Sequence, residues 1–106
     1  MSDAHESVRA YAPHADQAIL DKMASTYRLV LDDRDSRFVS ASDPAELATV
    51  RENFLKKKLG LTHSDADLDK AIADVMAQMK DGKPNPRLAV YYLLAEKFDK
   101  LSVFGG

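Results

Sequence analysis

Residues 88–95 read Leu-Ala-Val-Tyr-Tyr-Leu-Leu-Ala, and no charged residue interrupts them. Asn85 and Pro86 stand just before this run, where they fit a helix cap and a first helical residue, and Phe98 marks the expected end. A helix that is apolar on every face is one that its neighbours bury. The sequence therefore predicts the central helix of the protein here, and the surplus of apolar surface also suggests a contact between subunits.

Three further helices are predicted around the central one, over residues 16–31, 43–59 and 65–80. In the helices over 16–31 and 65–80, apolar residues recur at the three- and four-residue spacing of a single helix face. The helix over 43–59 carries two apolar stripes, Leu47, Val50 and Phe54 on one and Ala48, Leu55 and Leu59 on the other, which predicts that it packs between two neighbours. Asp43 followed by Pro44 is a strong start signal for the second of these helices, with Glu46 completing a capping box, and Gly60 supplies the left-handed residue that ends it.

The remaining segments are shorter. A short N-terminal helix is predicted over residues 3–11, a long polar loop over 32–42 with a brief extended stretch at 37–40, and a tail that folds back through Val103 and Phe104. The expected fold is all-α: a compact bundle of four main helices plus a short N-terminal helix, in a single domain over residues 1–106.

Composition restricts the compartment and the partners. The chain has 106 residues, a net charge of −2 and no cysteine, which excludes disulfides and thiol chemistry. No apolar run approaches the length of a membrane span, so a soluble, cytoplasmic protein is expected. The balanced charge provides no general attraction for nucleic acid, so the expected partner is a protein. A second copy of the chain is one candidate for that partner.

Candidate metal and catalytic motifs fail on spacing. Asp65, Asp67 and Asp69 resemble the opening of a calcium loop, but the positions for its glycine and its bidentate glutamate hold Lys70 and Met76. The three histidines form no pair at the spacing that binds a metal on one helix face, and the four glycines form no phosphate loop. The sequence therefore predicts no catalytic residue, no metal site and no cofactor.

One basic stretch invites two interpretations. Lys56, Lys57 and Lys58 follow one another, and α-helical geometry predicts that they fan out, with Lys57 beside Asn53 and Lys58 beside Arg51. In the first interpretation, Arg51 and Lys58 line a pocket for an anion. In the second, a carboxylate pairs with Arg51, while Lys58 lies along the helix end.

Two blocks of the sequence resemble a small bacterial family of unknown function. The first block is Val50-x-x-Asn53-Phe54-Leu55-x-Lys57-Lys58-Leu59-Gly60-Leu61, and the second runs from Val90-Tyr91-Tyr92-Leu93-Leu94 through Phe98 to Ser102-Val103-Phe104-Gly105. Proteins of that family are short, helical and cytoplasmic, so the resemblance implies the same fold. It implies no activity, and it draws attention to the polar residues of the first block.

The function itself stays open between three hypotheses. The first is a non-enzymatic interaction or accessory protein that self-associates as a homodimer through the helix predicted over residues 43–59 and the central helix. The second is a protein that binds a small anionic ligand, and the weakest is an enzyme without a recognisable motif. The candidate binding surface is formed by a set of polar residues: Arg51, Asn53, Lys57, Lys58, Tyr91 and Tyr92.

Overall fold

Four helices account for most of the fold. The computed structural model describes residues 8–9, 11–27, 38–39, 43–79 and 85–104. Its helices are α1 (Gln17–Thr26), α2 (Pro44–Thr49), α3 (Asp65–Gln78) and α4 (Arg87–Lys97). The helix begun by α2 continues as a π-helix over Val50–Lys58, called here the π segment, and a short 3-10 helix spans Leu101–Phe104.

Helix α4 occupies the centre, as its sequence predicts. Every residue from Arg87 to Ala95 is buried, and α4 contacts α1, α3 and the π segment. The radius of gyration of 12.6 Å matches the value of about 13 Å for a folded chain of this size. The prediction of a compact, mostly α bundle with four main helices is confirmed.

The helix starts follow local capping rules. The side chains of Asp16, Asp43 and Ser64 accept hydrogen bonds from backbone N–H groups in the first turns of α1, α2 and α3, at 2.8, 3.0 and 3.2 Å. Helix α3 buries the predicted stripe, whose members are Leu68, Ile72, Val75, Met76 and Met79. Gly60 ends the π segment with a φ of +68°, as predicted.

A two-stranded antiparallel pairing precedes α4. Phe38 pairs with Pro86, and Val39 pairs with Asn85, to form strands β1 (Phe38–Val39) and β2 (Asn85–Pro86). The brief extended stretch predicted at 37–40 is thereby confirmed for these two residues. The predicted cap of α4 is wrong, because Asn85 and Pro86 lie in β2 and Pro86 is the cap without a side-chain hydrogen bond.

The π segment is the largest departure from the expected geometry. The sequence predicts one α-helix over 43–59, yet the N–H of Leu59 donates to the carbonyl of Phe54, five residues back, at 2.9 Å. This bonding pattern widens the turn, so residues four and five positions apart become neighbours on one face. π-helices are rare, and the single-turn π-bulges that make up most examples are frequently found at functional sites.

The chain ends fit the predictions only in part. Val8 and Arg9 are helical and Val8 is fully buried, while the rest of the helix predicted over residues 3–11 lies outside the described residues except Tyr11, which is in a turn. Residues 28–31 of the helix predicted over 16–31 also lie outside the described residues, as does the predicted 32–42 loop apart from β1. At the other end Phe104 is buried as expected, but Val103 remains exposed.

Among the described residues, no helix combines the length and the apolar character that crossing a membrane would require.

Candidate functional site

The two tyrosines of the candidate surface lie in the core. Tyr91 is 6% exposed and Tyr92 is 1% exposed. Burial raises the pKa of the Tyr92 hydroxyl, the nearby Glu96 carboxylate raises it further, and a backbone hydrogen bond at Asp16 acts in the opposite direction. Both hydroxyls are therefore separated from Lys57 and Lys58, which are exposed on the π segment. The structure does not place a lysine and a tyrosine hydroxyl side by side in one surface site, as the candidate surface predicts.

Tyr91 belongs to a buried polar cluster at the start of α4. Arg87, whose side chain is 8% exposed, donates to the Tyr91 hydroxyl at 2.9 Å and to a carboxylate oxygen of Glu46. A weaker contact of 3.5 Å runs from Arg87 to the backbone carbonyl of Phe38. This Arg87 cluster therefore ties the first turn of α4 to α2 and β1.

Aromatic rings continue the cluster through the core. The guanidinium carbon of Arg87 lies 5.6 Å from the centre of the Tyr91 ring, and Tyr91 stacks on Phe54 with centroids 4.0 Å apart and planes 8° apart. Phe54 in turn lies nearly parallel to Phe104, with centroids 6.3 Å apart. At the far end Lys58 Nζ lies 5.2 Å from the centre of the Phe104 ring. The three rings thus form a column with a cation at each end.

Burial also acts on two tyrosine hydroxyls, those of Tyr91 in the column and of Tyr27, whose ring packs edge-on against Tyr91 with centroids 4.9 Å apart. It raises the pKa of the Tyr27 hydroxyl well above its ordinary range, and the neighbouring Tyr91 adds to the shift. Burial also raises the pKa of Tyr91, although the Arg87 guanidinium works against it. Both hydroxyls are therefore neutral donors and acceptors at ordinary pH, and they stabilise the fold in that form.

Arg51 belongs to a second charged cluster, on the surface between the π segment and α3. Its guanidinium donates to Glu52 at 2.8 Å and to both carboxylate oxygens of Asp69 at 3.0 and 3.1 Å. Lys56 joins the same cluster through Glu52 at 2.9 Å and Asp65 at 2.6 Å. The cations of this Arg51 network are therefore committed to carboxylates, as the second interpretation of Arg51 predicts.

The other face of the π segment carries cations in a different state. Asn53, Lys57 and Lys58 are all exposed, and within the described part of the chain neither lysine forms an ion pair. We call these three residues the basic face. Because i→i+5 bonding brings positions four and five apart together, Lys57 and Lys58 flank Asn53 instead of fanning out as α-helical geometry predicts.

The predicted candidate surface therefore divides into three parts. Asn53, Lys57 and Lys58 share one face, Arg51 lies in the network with α3, and the two tyrosines are in the core. Sequence reasoning missed Arg87, although its spacing of four residues from Tyr91 on one helix was a usable signal. It assigned Glu46 to a capping box, whereas the structure gives this carboxylate a tertiary contact with Arg87.

The fold and these clusters define a mostly α-helical protein, and comparison with protein families places it further. Residues 3–102 match a family described as "Protein of unknown function (DUF2853)", and the chain belongs to that family. The predicted resemblance to a family of unknown function is thereby confirmed. No curated protein matches the chain.

Proposed function

We propose that this protein is a non-enzymatic binding module whose basic face recognises an acidic segment of a partner protein. One observation carries the proposal: on a single helix, Arg51 and Lys56 are bound by carboxylates of the same chain, while no carboxylate of the described residues binds Lys57 or Lys58. An exposed cation that no carboxylate of the described residues holds is one that a carboxylate of another molecule can reach. An acidic partner is therefore the complement of this face.

The π geometry supports the proposal by gathering the three polar side chains. In an α-helix Lys58 would lie about 140° from Asn53, since successive residues differ by roughly 100°. In the π segment Lys57 and Lys58 lie on either side of Asn53, so two charges and one amide are presented together. The amide adds a donor and an acceptor between the two charges, which suits recognition of a peptide group beside a carboxylate.

Exposure favours a macromolecular partner over a small anion. Binding sites for small molecules are concave and enclose most of the ligand. Asn53, Lys57 and Lys58 are exposed on the outer face of a helix, where a small anion would keep most of its hydration. The alternative hypothesis of a small anionic ligand has also lost two of its expected contributors, since Arg51 is paired and Tyr91 is engaged by Arg87.

Self-association stays a prediction, and two observations bear on it. The apolar surface of α4 that suggested a subunit contact is covered within one chain. A twofold contact through the basic face would bring the lysines of both copies together, and like charges in contact disfavour such an interface. A partner of different sequence therefore fits the basic face better than a second copy does.

The same proposal includes a cytoplasmic location and a bacterial origin. The first is supported by the cysteine-free composition, and the second by the two sequence blocks. A non-enzymatic role is supported by the structural commitment of the polar groups in the two clusters, where Glu46 holds Arg87 and Asp69 holds Arg51.

An NMR titration of the isotope-labelled chain with a short glutamate peptide tests the proposal. The expected result is a set of shift changes centred on Asn53, Lys57 and Lys58 that weakens as salt is added. The variant Lys57→Glu/Lys58→Glu should abolish these changes. Inorganic phosphate, titrated alone, should produce only weak shifts at the same residues.

A matched control distinguishes the effect of the basic face on binding from the effect of the net charge. Lys22 and Lys70 are exposed lysines on α1 and α3, and Lys22→Glu/Lys70→Glu alters the net charge by the same amount. Binding should survive in this control. Equal losses in both double variants, or shift changes away from the basic face, would refute the proposal, and saturation by phosphate without any gain from the peptide would favour the small-anion hypothesis instead.

A further inference from the structure

We infer that Lys57 is a site of acylation on the basic face, and that an acyl group taken from an acyl phosphate removes one of the charges that bind the partner. The regulatory part of this inference rests on the proposed function, whereas the choice of Lys57 does not. Three consecutive lysines of the π segment, Lys56, Lys57 and Lys58, differ in what surrounds their ammonium groups.

Two carboxylates hold Lys56 as an ammonium ion. Its Nζ lies 2.6 Å from Asp65 and 2.9 Å from Glu52, and its side chain is 32% exposed. The hydrogen bonds that Lys56 donates to Asp65 and to Glu52 raise the pKa of this amine above its ordinary value. Since only a neutral amine has the electron pair that attacks an acyl group, these contacts protect Lys56 from acylation.

Lys58 has an aromatic ring beside its ammonium group. Its Nζ lies 5.2 Å from the centre of the Phe104 ring, a contact that favours the charged form of the lysine. Lys57 is exposed, and neither a carboxylate nor an aromatic ring of the described residues contacts its ammonium group. Lys57 is therefore the one lysine of the three whose amine nothing in the described part of the chain holds in the charged form.

The transfer consumes one acyl phosphate for each modified lysine. The neutral amine of Lys57 attacks the carbonyl carbon of the acyl phosphate, an N–C bond forms, and the bond between that carbon and the phosphate oxygen breaks. Phosphate leaves with the electron pair of the broken bond, and the two protons that the ammonium group gives up pass to phosphate and to water. The product is a neutral amide, so Lys57 loses its positive charge.

Loss of this charge weakens the basic face as a binding surface for carboxylates. Lys57 and Lys58 are the cations of this helix that no described carboxylate holds, so acylation of Lys57 leaves one of the two. Arg51 and Lys56 do not replace the lost charge, because their own carboxylates hold them. Since Lys57 is exposed, its acylation lowers the affinity for an acidic partner without disturbing the core.

Treatment of the full chain with acetyl phosphate at neutral pH, followed by peptide mass spectrometry, tests the choice of site. Lys57 should be acetylated about fivefold faster than Lys56, the factor that two exposed ion pairs provide. In the matched variant Glu52→Gln/Asp65→Asn, the rate at Lys56 should rise to that at Lys57. Equal rates in the wild type, or a rate at Lys56 that the variant leaves unchanged, would overturn the inference.

A titration with the glutamate peptide tests the regulation. A chain made with acetyllysine in place of Lys57 should bind the peptide about threefold more weakly than the unmodified chain, the effect of one screened charge. Acetyllysine in place of Lys70, an exposed lysine of α3, is the matched control and should leave the affinity unchanged. Equal affinities of the chain acetylated at Lys57 and the unmodified chain would refute the regulatory role. If the unmodified chain does not bind the peptide, the proposed function and the regulation both fail, while the acetylation rates still decide whether Lys57 is the site.

Discussion

Arg87 and Arg51 each hold carboxylates from another helix, but they do so in different surroundings. The Arg87 side chain is 8% exposed and its partner Glu46 is 26% exposed, whereas Arg51 is 20% exposed and its partner Asp69 is 52% exposed. Water screens the second pair more than the first, in which the arginine is buried and the carboxylate is partly exposed. Ion pairs of the same type therefore stabilise the core at the α2 end of the helix formed by α2 and the π segment, and contribute less at the surface further along.

The two clusters also share a consequence for function. Each one commits an arginine to internal carboxylates, and the Arg51 network commits Lys56 as well. The cations of the same helix that no described carboxylate holds are Lys57 and Lys58. Pairing within the chain therefore determines which cations can bind a partner.

Removing the buried arginine should have the largest effect. The substitution Arg87→Met keeps much of the side-chain volume but leaves Glu46 and the Tyr91 hydroxyl without their donor. We expect the free energy of unfolding to fall by about 3 kcal/mol, the usual result of removing one partner from a buried ion pair. Urea denaturation measures it, and the loss should change little with salt.

A double variant tests whether the loss comes from the pair. Adding Glu46→Gln to Arg87→Met removes the carboxylate that was left without its partner, so the double variant should be more stable than the sum of the two single losses predicts. Additive losses would show that Glu46 and Arg87 act independently.

Alkaline pH should have the next largest effect, through Tyr91, which contacts Arg87, and Tyr27, which packs against Tyr91. Burial holds the pKa of Tyr27 and Tyr91 above the ordinary value of about 10, so the unfolded chain loses these protons first. Their stabilising contribution is complete below that pH and is lost as the pH rises towards the folded pKa. Denaturation between about pH 9 and 11 should show a fall in stability that is shallower in Tyr27→Phe. The same slope in both proteins would contradict this assignment.

Removing the surface arginine should have the smallest effect. Arg51→Met opens the Arg51 network, but its carboxylates remain in water, so the loss should be a small fraction of that for Arg87→Met. The difference from wild type should shrink further as salt is added. Thermal unfolding at several salt concentrations measures this, and a loss equal to that of Arg87→Met would erase the contrast between the two clusters.

Acid should reduce the difference in stability between wild type and Arg51→Met. Hydrogen bonds from Arg51 and Lys56 hold the pKa of Glu52 below its ordinary value, and a hydrogen bond from Lys56 does the same for Asp65. Their contribution is present above the ordinary pKa of about 4 and is lost as the pH falls through the lowered folded values. Wild type and Arg51→Met should therefore converge in stability at acidic pH, and a constant difference would contradict the pairing.

The sequence predicted the helices well because the signals for them are local. Asp16, Asp43 and Ser64 cap their helices through backbone groups two or three residues away, and Gly60 ends the π segment through its own φ. The absence of any charged residue over 88–95 predicted that this stretch is buried. The cap of α4 could not be predicted in the same way, because Asn85 and Pro86 pair with a strand far away in the chain.

The candidate site was predicted only in part, and the π segment explains why. Asn53, Lys57 and Lys58 were named from the sequence, but α-helical geometry placed the two lysines apart. The wider turn depends on hydrogen bonds such as the one that the N–H of Leu59 donates to the carbonyl of Phe54. No residue type in the sequence indicates such bonding. The separation of Arg51 from Lys58 follows from the same change of register.

By itself, the sequence determined the helical class, the helix starts and the burial of α4, since capping and apolar periodicity act within a few residues along the chain. Only the tertiary structure decided which charged groups are free. Arg51 meets Asp69 across 18 positions of sequence and Arg87 meets Glu46 across 41. A contact between such distant residues depends on how the helices pack, because neither side chain carries a local signal of its partner.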